Sequence, residues 1–403
     1  MTARIPYGRQ HIDQSDIDAV TQVLKGDYLT GGAAVEAFET SLCTITKSKN
    51  AIVCSSGTAA LHLAAMAADL GSGDIAIIPA ITFLATANAV RMTGADVVFC
   101  DVDPLTGLVT PENVEAALKL CAPGAVKAVL PVHLNGQLAD CSAISEVVQG
   151  NGVILIEDAC HALGTTYDDA KGIGHVGDCR HSHMSVFSFH PVKTIAMGEG
   201  GAITTNNSDL ANRMQRLRNH GMTRDAADFK NTELAFDDHS NPNPWYYEQH
   251  ELGYNYRASD MHCALGNSQL KKLSQFAEKR RRLVSVYEEH LAPLAPMVRP
   301  IRKLPGMDPV WHIFPVLIDF AALSIERSAL MQTLAQAGIS TQVHYIPVPW
   351  QPYYQESNRS RSFPGAQAYY EKTLTLPLHV NLNDDDILYI VGKLKSALGL
   401  SYG

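Results

Sequence analysis

One lysine near the middle of this sequence stands in a setting that suits chemistry. Lys193 lies a few residues after the apolar run MSVFSF (184–189), in the segment SFHPVKTIAMGEGG, and Val192 and Ile195 flank it. A surface lysine is usually a solvated ammonium, whereas apolar surroundings lower the pKa of its amine and make it a nucleophile. We therefore predict that Lys193 presents a reactive amine on a short loop between two strands.

Two carboxylates follow another apolar run. Glu157 and Asp158 come directly after VILI (153–156). A carboxylate at the end of a buried strand is costly unless it is paired. If it faced a pyridine nitrogen, it would keep that nitrogen protonated, so that the ring could accept electrons from a carbanion. Asp158 could instead cap a helix, and Glu157 could be the inward-facing residue of the two.

Two further segments follow predicted strands. Ser56, Gly57 and Thr58 precede an Ala-rich helical pattern, and the free N–H groups at a helix N-terminus can bind a phosphate where a glycine allows close approach. An ordinary helix cap is the competing interpretation of these residues. Phe83 follows the run IAIIPA (75–80), where its ring could stack on a planar ligand or pack into the core.

Short apolar runs alternate with helical patterns over the first half of the chain and predict its architecture. Seven runs predict strands: AIVCSS (51–56), IAIIPA (75–80), ADVVFCD (95–101), VKAVLPV (126–132), GVILIED (152–158), MSVFSF (184–189) and GGAITT (200–205). This alternation is typical of an α/β fold with a mainly parallel sheet covered by helices. Ligands of such sheets bind at the carboxyl ends of the strands, where the segments above should meet.

The second half follows a different pattern. A polar segment at 224–245 is long for a loop and is expected to be functional, and a long helix is predicted over 258–291. Later segments predict two strands, HIFPVLIDF and TQVHYIPV, and two helices, RSALMQTLAQAG and DDDILYIVGKLKSAL. We predict a large domain over residues 1–275 and a smaller α+β domain over 276–403.

Composition excludes several classes of function. Of the 403 residues, 46% are hydrophobic and 18% charged, as in globular proteins, and the net charge of −9 argues against nucleic acid or an anionic membrane as partner. The eight cysteines form no C-x-x-C pair, so we expect free thiols and no metal site. The N-terminus has no signal-peptide pattern and no run is long enough to span a bilayer, so a cytoplasmic location is expected.

Five segments together resemble one family. SSGTAALH, TFLATANA, EDACHALG, SFHPVKTIAMGEGGAITTN and GYNYRASDMHCALG are similar to motifs of the DegT/DnrJ/EryC1/StrS family, over nearly the whole chain. The family comprises sugar aminotransferases of fold type I that use pyridoxal 5′-phosphate (PLP). The resemblance implies a large domain with a mainly parallel seven-stranded sheet, a smaller C-terminal domain and a homodimer with a composite active site.

The resemblance also implies roles for individual residues. Lys193 matches the lysine that forms the Schiff base and moves the proton, and Asp158 matches the partner of the pyridine nitrogen. The other cofactor-binding positions are Ser56, Gly57, Thr58, Phe83, Ser188 and Asn255, of which Asn255 would reach the neighbouring subunit's cofactor. His161 replaces the Gln that many members have, and it could bond the cofactor's ring oxygen or pack beside the ring. Positions that match the sugar-nucleotide site are Tyr7, Asp27, Tyr28, Leu29, Thr30, Gln342, Val343, His344 and Tyr345.

Within the family, the chain is most similar to the subgroup that acts in pseudaminic-acid biosynthesis. That similarity implies transfer of an amino group from L-glutamate, released as 2-oxoglutarate, to the C4 keto group of a UDP-linked 4-keto-6-deoxy-N-acetylhexosamine. Another nucleotide-linked keto sugar, or amination at C3, is the nearest alternative. A dehydratase would have His in place of Lys193, and a non-catalytic regulator would have a broken Lys or Asp motif, so both are disfavoured.

Overall fold

The protein consists of helices and strands that alternate along most of the chain. The computed structural model describes residues 4–400. The strands are β1 Asn50–Cys54, β2 Ile75–Pro79, β3 Asp96–Cys100, β4 Val126–Val129, β5 Ile154–Asp158, β6 Thr166–Asp169, β7 Gly172–His175, β8 Met184–Ser188, β9 Gly201–Thr205, β10 Met222–Thr223, β11 Glu248–Gln249, β12 Val298–Pro300, β13 Met307–Asp308, β14 Phe314–Ile318 and β15 Thr373–Leu376.

The helices connect these strands and cover the sheets. They are α1 Gln14–Leu24, α2 Ala33–Thr46, α3 Gly57–Ala67, α4 Leu84–Met92, α5 Pro111–Leu118, α6 Cys141–Val148, α7 Ser208–Leu217, α8 Thr232–Ala235, α9 Asp260–Leu270, α10 Leu273–Leu291, α11 Phe320–Leu323, α12 Arg327–Gln336, α13 Pro352–Asn358, α14 Pro364–Lys372 and α15 Asp384–Ala397. No helix within residues 4–400 is both long enough and apolar enough to cross a bilayer.

A seven-stranded sheet forms the centre of the molecule. Its order is β1-β9-β8-β5-β4-β2-β3; β9 runs antiparallel to both of its neighbours, and the other pairs are parallel. All seven predicted strands belong to this sheet, which confirms the α/β class. Helices cover the sheet, so its strands can be continuous apolar runs. One of these helices, the Ala-rich α3, is itself almost completely buried.

The C-terminal part has its own three-stranded antiparallel sheet, in the order β12-β14-β15. Helices α10, α12 and α15 contribute to the apolar core beside this sheet, which includes Leu283, Leu334 and Ile390. The hairpin of β6 and β7, which no sequence pattern indicated, pairs with β13. The boundary near residue 275 stays a prediction, and α10 begins two residues before it.

The long helix predicted over 258–291 is two helices. Helix α9 ends at Leu270 and α10 begins at Leu273. Between them, Lys272 forms ion pairs with Asp13 (2.9 Å) and with the buried Asp16 (2.7 Å) of the N-terminal segment. The prediction was wrong because residues rich in Leu, Lys and Glu favour helix throughout, whereas the tertiary ion pairs and the packing of α9 against α1 and α2 fix the break.

The strand predicted in TQVHYIPV does not form. Gln342 makes an isolated bridge to Thr375 on the edge of β15, and the pairing does not continue. Pro347 and Pro349 have no N–H group to add to a ladder, so the segment leaves the sheet. It thereby turns His344 and Tyr345 towards the carboxyl ends of the large sheet.

Candidate active site

A cavity of about 560 Å³ lies at the carboxyl ends of the large sheet. The N-terminal arm, the loops after β1, β2, β5 and β8, and the segment 342–351 form its walls. Its lining includes Tyr7, Ser56, Gly57, Thr58, Phe83, Asp158, His161, Ser188, Lys193, Gln342, Val343, His344 and Tyr345. Thirteen residues selected from separate parts of the sequence therefore meet in one cavity.

Lys193 reaches this cavity from a tight turn after β8. The turn is closed by the Lys193 N–H group, which donates to the carbonyl oxygen of His190 at 2.8 Å. Burial lowers the pKa of the Lys193 amine, although Cys160 and Asp158 oppose this shift. The structure thus gives Lys193 the partly desolvated setting in which an amine becomes nucleophilic.

Asp158 is the carboxylate that faces the cavity. It ends β5, is 5% exposed, and accepts hydrogen bonds from the Thr86 hydroxyl (2.7 Å) and the Cys160 N–H group (3.2 Å). These two donors fix the direction of the carboxylate. Both oxygens keep acceptor capacity, so Asp158 could also accept a hydrogen bond from a protonated ring nitrogen.

Glu157 points to the opposite face of β5. It accepts hydrogen bonds from the Ser185 hydroxyl (2.7 Å) and from Nε2 of His133 (3.3 Å). Burial alone would raise the pKa of Glu157, but the hydrogen bonds from His133 and Ser185 lower it overall. The question of which carboxylate faces inward is settled in favour of Asp158.

His133, Cys141 and Glu157 bring their polar atoms within 4.8 Å of one another, close enough for a metal ion. The hydrogen bonds of His133 argue against that use. Its Nδ1 accepts the N–H group of Ala139 (3.2 Å), so Nε2 holds the ring proton and donates it to Glu157. A metal at Nε2 would require a second lone pair that a neutral imidazole lacks.

The predicted phosphate cradle lies at the start of α3. The Ser56 hydroxyl caps this helix by accepting the N–H group of Ala59 at 3.1 Å. A β-carbon on Gly57 would lie only 2.8 Å from that of Ser188, and one on Gly201 only 2.2 Å from the Ser56 carbonyl oxygen, so glycine is required at both positions. The two loops therefore meet around the N-terminus of α3, where a phosphate would find free N–H groups.

Aromatic and imidazole rings occupy the other side of the cavity. The Phe83 side chain is 57% exposed, and its ring centroid lies 6.0 Å from that of Tyr345. The Tyr345 hydroxyl lies 3.1 Å from Nε2 of His161, and the His161 ring packs 4.4 Å from the His312 ring. Phe83 is thus exposed towards the cavity, where it can stack on a ligand.

Burial keeps three of the five histidines that line the cavity neutral. It lowers the pKa of His161 and His312 well below the ordinary value and that of His344 to about 3, with the charge of Lys193 adding to each shift. His344 also bonds the Thr375 hydroxyl through Nδ1 at 2.8 Å. Among the lining residues, Lys193 is the only Lys or Arg.

Two groups of predicted residues lie outside this cavity. The turn Asp27–Thr30 is on the surface, where Tyr28 is 68% exposed, and Thr30 forms a bridge to Ser259. Asn255 is exposed and forms a bridge to Asn219. Within one chain, neither the turn nor Asn255 reaches Lys193.

Three residues of the site were not selected from the sequence. Thr86 holds Asp158, His312 packs on His161, and Cys160 lines the cavity beside Asp158. Thr86 is in TFLATANA and Cys160 in EDACHALG, so the motifs contained them, but a hydroxyl or thiol within a helical or loop pattern gives no signal of its own. His312 comes from a different part of the chain and only tertiary structure brings it here.

The geometry fits pyridoxal phosphate. A half-buried amine, a buried carboxylate held by two donors, a helix N-terminus between two glycine-dependent contacts and an exposed aromatic ring line one cavity. These groups match the aldehyde, the ring nitrogen, the phosphate and the face of that cofactor.

Comparison with known proteins agrees with this chemistry. Residues 10–395 match the model of the DegT/DnrJ/EryC1/StrS aminotransferase family. The spore coat polysaccharide biosynthesis protein SpsC of Bacillus subtilis is 35% identical over 95% of this chain and 94% of its own length.

Solved structures extend the comparison to three dimensions. Spr1654 of Streptococcus pneumoniae, solved in its PLP form, is 26% identical with a TM-score of 0.86 over 98% of this chain and 99% of its own. PseC of Helicobacter pylori, an aminotransferase involved in the biosynthesis of pseudoaminic acid, is 27% identical with a TM-score of 0.86 and the same coverage. The chain belongs to the DegT/DnrJ/EryC1/StrS family and is a PLP-dependent sugar aminotransferase of fold type I.

Proposed function

We propose that this enzyme transfers an amino group from L-glutamate to the C4 keto group of a UDP-linked 4-keto-6-deoxy-N-acetylhexosamine, in a pathway of the pseudaminic-acid type. The observation that carries the proposal is the similarity to PseC over 98% of the chain. The segments 342–345 and Tyr7, which match sugar-nucleotide positions, line the same cavity as Lys193 and support it.

The roles of the site residues form part of the proposal. Bound PLP supplies an electron-accepting ring that stabilises negative charge on the carbon beside the transferred nitrogen. Lys193 would hold the cofactor's aldehyde carbon until the incoming amino donor takes its place, and the freed Lys193 amine would then act as general base and acid, moving a proton from the donor's α-carbon to the adjacent cofactor carbon. Asp158, oriented by Thr86, keeps the ring nitrogen protonated. Ser56, Gly57, Thr58 and Ser188 bind the phosphate, and Phe83 lies against the ring.

The partner subunit completes the site in this proposal. Among residues 4–400, the cavity lining has no Arg or Lys besides Lys193, whereas a glutamate donor carries two carboxylates and a UDP-sugar carries a diphosphate. Asn255 and the turn Asp27–Thr30 are exposed on the surface of their own chain, so a second copy could use them. We propose a homodimer in which Asn255 reaches the neighbour's phosphate. The eight free cysteines suit the reducing cytoplasm.

A different nucleotide-linked keto sugar is the second candidate substrate. The 35% identity to SpsC exceeds the 27% identity to PseC, and SpsC is a spore coat polysaccharide biosynthesis protein. This sister activity would use the same amino donor and the same residues at the cofactor, and would differ only in the sugar.

Substrate trials distinguish these candidates. The PLP-loaded enzyme is mixed with L-glutamate under anaerobic conditions, and its absorption spectrum is followed until the donor has converted the cofactor to its aminated form. The UDP-linked 4-keto-6-deoxy-N-acetylhexosamine should then restore the original band and yield a C4-amino sugar by mass spectrometry. Restoration only by 3-keto sugars, or only by sugars on another nucleotide, would reject the proposed substrate while leaving the aminotransferase intact.

A lysine variant tests the assigned chemistry. Lys193→Ala should lower turnover by at least about 10²–10⁴-fold, the usual contribution of a positioned acid–base group. Borohydride reduction of the loaded wild-type enzyme should add one cofactor mass to the peptide containing Lys193, and the variant should add none. Lys279, half-buried on α10 and outside the cavity lining, provides the matched control, since Lys279→Ala should behave as wild type. Cofactor fixed on any other peptide would disprove the assignment.

A further inference from the structure

A second cavity, of about 530 Å³, shares a wall with the cofactor cavity. Glu157 and Asp158 follow each other in β5, and Asp158 lines the cofactor cavity whereas Glu157 lines the second cavity. His133 lines both. The volume of the second cavity is in the range of small-molecule sites, and no residue assigned above to the cofactor or the sugar lines it.

Acidic side chains dominate the charged lining of the second cavity. Its five carboxylates and one guanidinium belong to Asp103, Asp140, Glu157, Asp168, Asp169 and Arg302. Asp169 is already paired with Arg180 at 3.3 Å, and Arg302 is exposed. The excess of negative charge favours a cationic ligand.

Glu157 accepts hydrogen bonds on only one of its oxygens, although its side chain is just 9% exposed. The bonds from His133 and Ser185 both go to Oε2, and among residues 4–400 no hydrogen bond reaches Oε1. The Ser182 hydroxyl is near Glu157 but is itself buried without a hydrogen-bond partner. Because a buried carboxylate oxygen without a donor is costly, a cationic donor in the second cavity would stabilise Glu157.

Asp103 and Asp140 have the same one-sided pattern nearer the surface. Asp103 accepts the N–H groups of Leu105 (3.0 Å) and Thr106 (2.8 Å) on Oδ1, and Asp140 accepts that of Ala143 (3.0 Å) on Oδ1. Neither Oδ2 atom accepts a hydrogen bond from the part of the chain that the structure describes. The second cavity therefore offers two more carboxylate oxygens to a ligand.

These oxygens do not converge on one point, as the ligands of a metal ion would. Among the described residues, only His133, Cys141 and Glu157 bring three ligand atoms within 4.8 Å of one another, and the ring proton of His133 argues against a metal there. Asp103 and Asp140 belong to no such group. Separate acceptors in one cavity suit a ligand whose positive charges are also separated.

Apolar side chains form much of the remaining lining. They include Leu108, Val109, Leu138, Val176, Leu304 and Met307. Such walls favour methylene groups over a hydrated ion or a sugar. A chain of methylene groups that carries ammonium groups at intervals combines both properties.

We propose that the second cavity binds an aliphatic polyamine, with its ammonium groups on Glu157, Asp103 and Asp140 and its methylene groups against the apolar walls. Leu105, which is 57% exposed, and the exposed Asp140 line the cavity, so the ligand can enter from solvent without passing the cofactor. Binding there does not depend on which sugar the enzyme aminates.

Calorimetric titration of the PLP-loaded enzyme with spermidine tests this proposal. The cofactor is first reduced with borohydride, so that it stays fixed to the protein and cannot form an imine with the added amine. One spermidine should bind per chain. The diol 1,8-octanediol, a chain of the same length without charge, should bind at least about tenfold more weakly because it makes no charge-assisted hydrogen bond. No binding at millimolar spermidine, or equal affinity for the diol, would overturn the proposal.

Variants that remove one charge locate the ligand. Asp140→Asn keeps the N-cap of α6 and Glu157→Gln keeps the side-chain shape, and each should weaken spermidine binding about tenfold or more, the equivalent of one hydrogen bond to a charged group. Asp209→Asn, at an exposed position of α7 outside the second cavity, is the matched control and should bind as wild type. Unchanged affinity in either cavity variant would show that the polyamine binds elsewhere on this acidic protein.

A basic peptide is the competing kind of ligand. An acetylated tri-lysine amide carries as many positive charges as spermidine on a bulkier backbone, so it should bind more weakly than spermidine. Tighter binding of the peptide, lost in Asp140→Asn and Glu157→Gln, would assign the second cavity to a protein partner and reject the polyamine.

Discussion

Asp158 illustrates how neighbouring side chains fix the orientation of a candidate catalytic carboxylate. Its carboxylate is buried at the end of β5, and the Thr86 hydroxyl holds one oxygen at 2.7 Å. Thr86 is itself bonded to Thr82 at 2.7 Å. This chain of hydroxyls orients the carboxylate towards the cavity before any ligand arrives, which is the preorganisation that a buried charge interaction needs.

Removal of this support gives a prediction at the scale of one residue. Thr86→Val keeps the shape of the side chain but removes its hydrogen bond to Asp158, so turnover should fall about tenfold, the equivalent of one hydrogen bond. Thr93→Val, just after the same helix, removes a hydroxyl bond to the Val90 carbonyl and serves as control. Steady-state kinetics provides the measurement; equal turnover in the two variants would contradict the supporting role of Thr86.

The acid–base properties of the cavity histidines predict how stability depends on pH. The folded-state pKa values of His161, His312 and His344 lie below the ordinary value, so the fold disfavours their protonation. Above pH about 6.5 these residues are neutral in both the folded and the unfolded state, so their burial does not lower the free energy of unfolding. As the pH falls below that value the unfolded chain binds protons that the folded chain excludes, and stability is lost towards the folded pKa, about 3 for His344.

Urea unfolding of the apoenzyme between pH 8 and 5 measures this loss. At a fixed protein concentration, the free energy of unfolding should be nearly constant above pH 6.5 and should fall by about 2 kcal/mol per buried histidine by pH 5. His344→Asn should reduce the loss, whereas His290→Gln, on the exposed end of α10, should not. A flat profile down to pH 5 would disagree with neutral buried imidazoles.

At the scale of elements, Asp260 joins two helices that are distant in sequence. It begins α9, yet its carboxylate accepts the N–H groups of Gly32 (2.8 Å) and Ala34 (3.0 Å) at the start of α2. The N-cap residue of α2 is glycine and has no side chain to cap the helix. A tertiary contact therefore does what a serine or aspartate usually does locally.

Loss of this cap should destabilise the fold. Asp260→Ala leaves two N–H groups of α2 without their acceptor and should lower the free energy of unfolding by about 1–3 kcal/mol. Denaturant unfolding at constant protein concentration is the measurement. Asp209→Ala, at an exposed position in the first turn of α7, should change stability much less. Equal effects of the two substitutions would show that Asp260 does not cap α2.

Sequence patterns predicted the elements that depend on local signals and missed those that depend on distant partners. The buried strands β1 to β5, β8 and β9 were predicted because each is a short apolar run. The break before Leu273 was missed because Lys272 is paired with Asp13 and Asp16, far away in sequence. Lys193 and Asp158 could be selected from their motifs, but Thr86 and His312 could not, since their importance comes only from contacts made in the folded chain.

At the scale of the whole molecule, the proposed homodimer predicts complementation between two inactive variants. Lys193→Ala and Asn255→Ala should each be poorly active, the second because it weakens PLP binding. Mixed after dissociation and reassociation in equal amounts, they should recover about a quarter of wild-type activity, because half of the dimers are hybrids and each hybrid has one site with both residues.

The absence of recovery in verified hybrids would contradict a site shared between subunits. Size-exclusion chromatography with light scattering confirms that dimers form, and differently tagged variants allow the hybrids to be purified. Asn267→Ala, in α9, is the control. It should be active by itself, and its mixture with Lys193→Ala should have only the activity of the Asn267→Ala chains that it contains.

The N-terminal arm connects the two ends of the chain beside the cavity. Ile5 exchanges hydrogen bonds with Gly338 (2.8 Å) and Ser340 (2.9 Å), and the Tyr7 carbonyl accepts the N–H group of Leu378 (3.0 Å). During synthesis, the arm cannot form these hydrogen bonds until residues 338–378 have been added to the chain. The wall of the cavity that contains Tyr7 can therefore be fixed only after residues 338–378 have been synthesised.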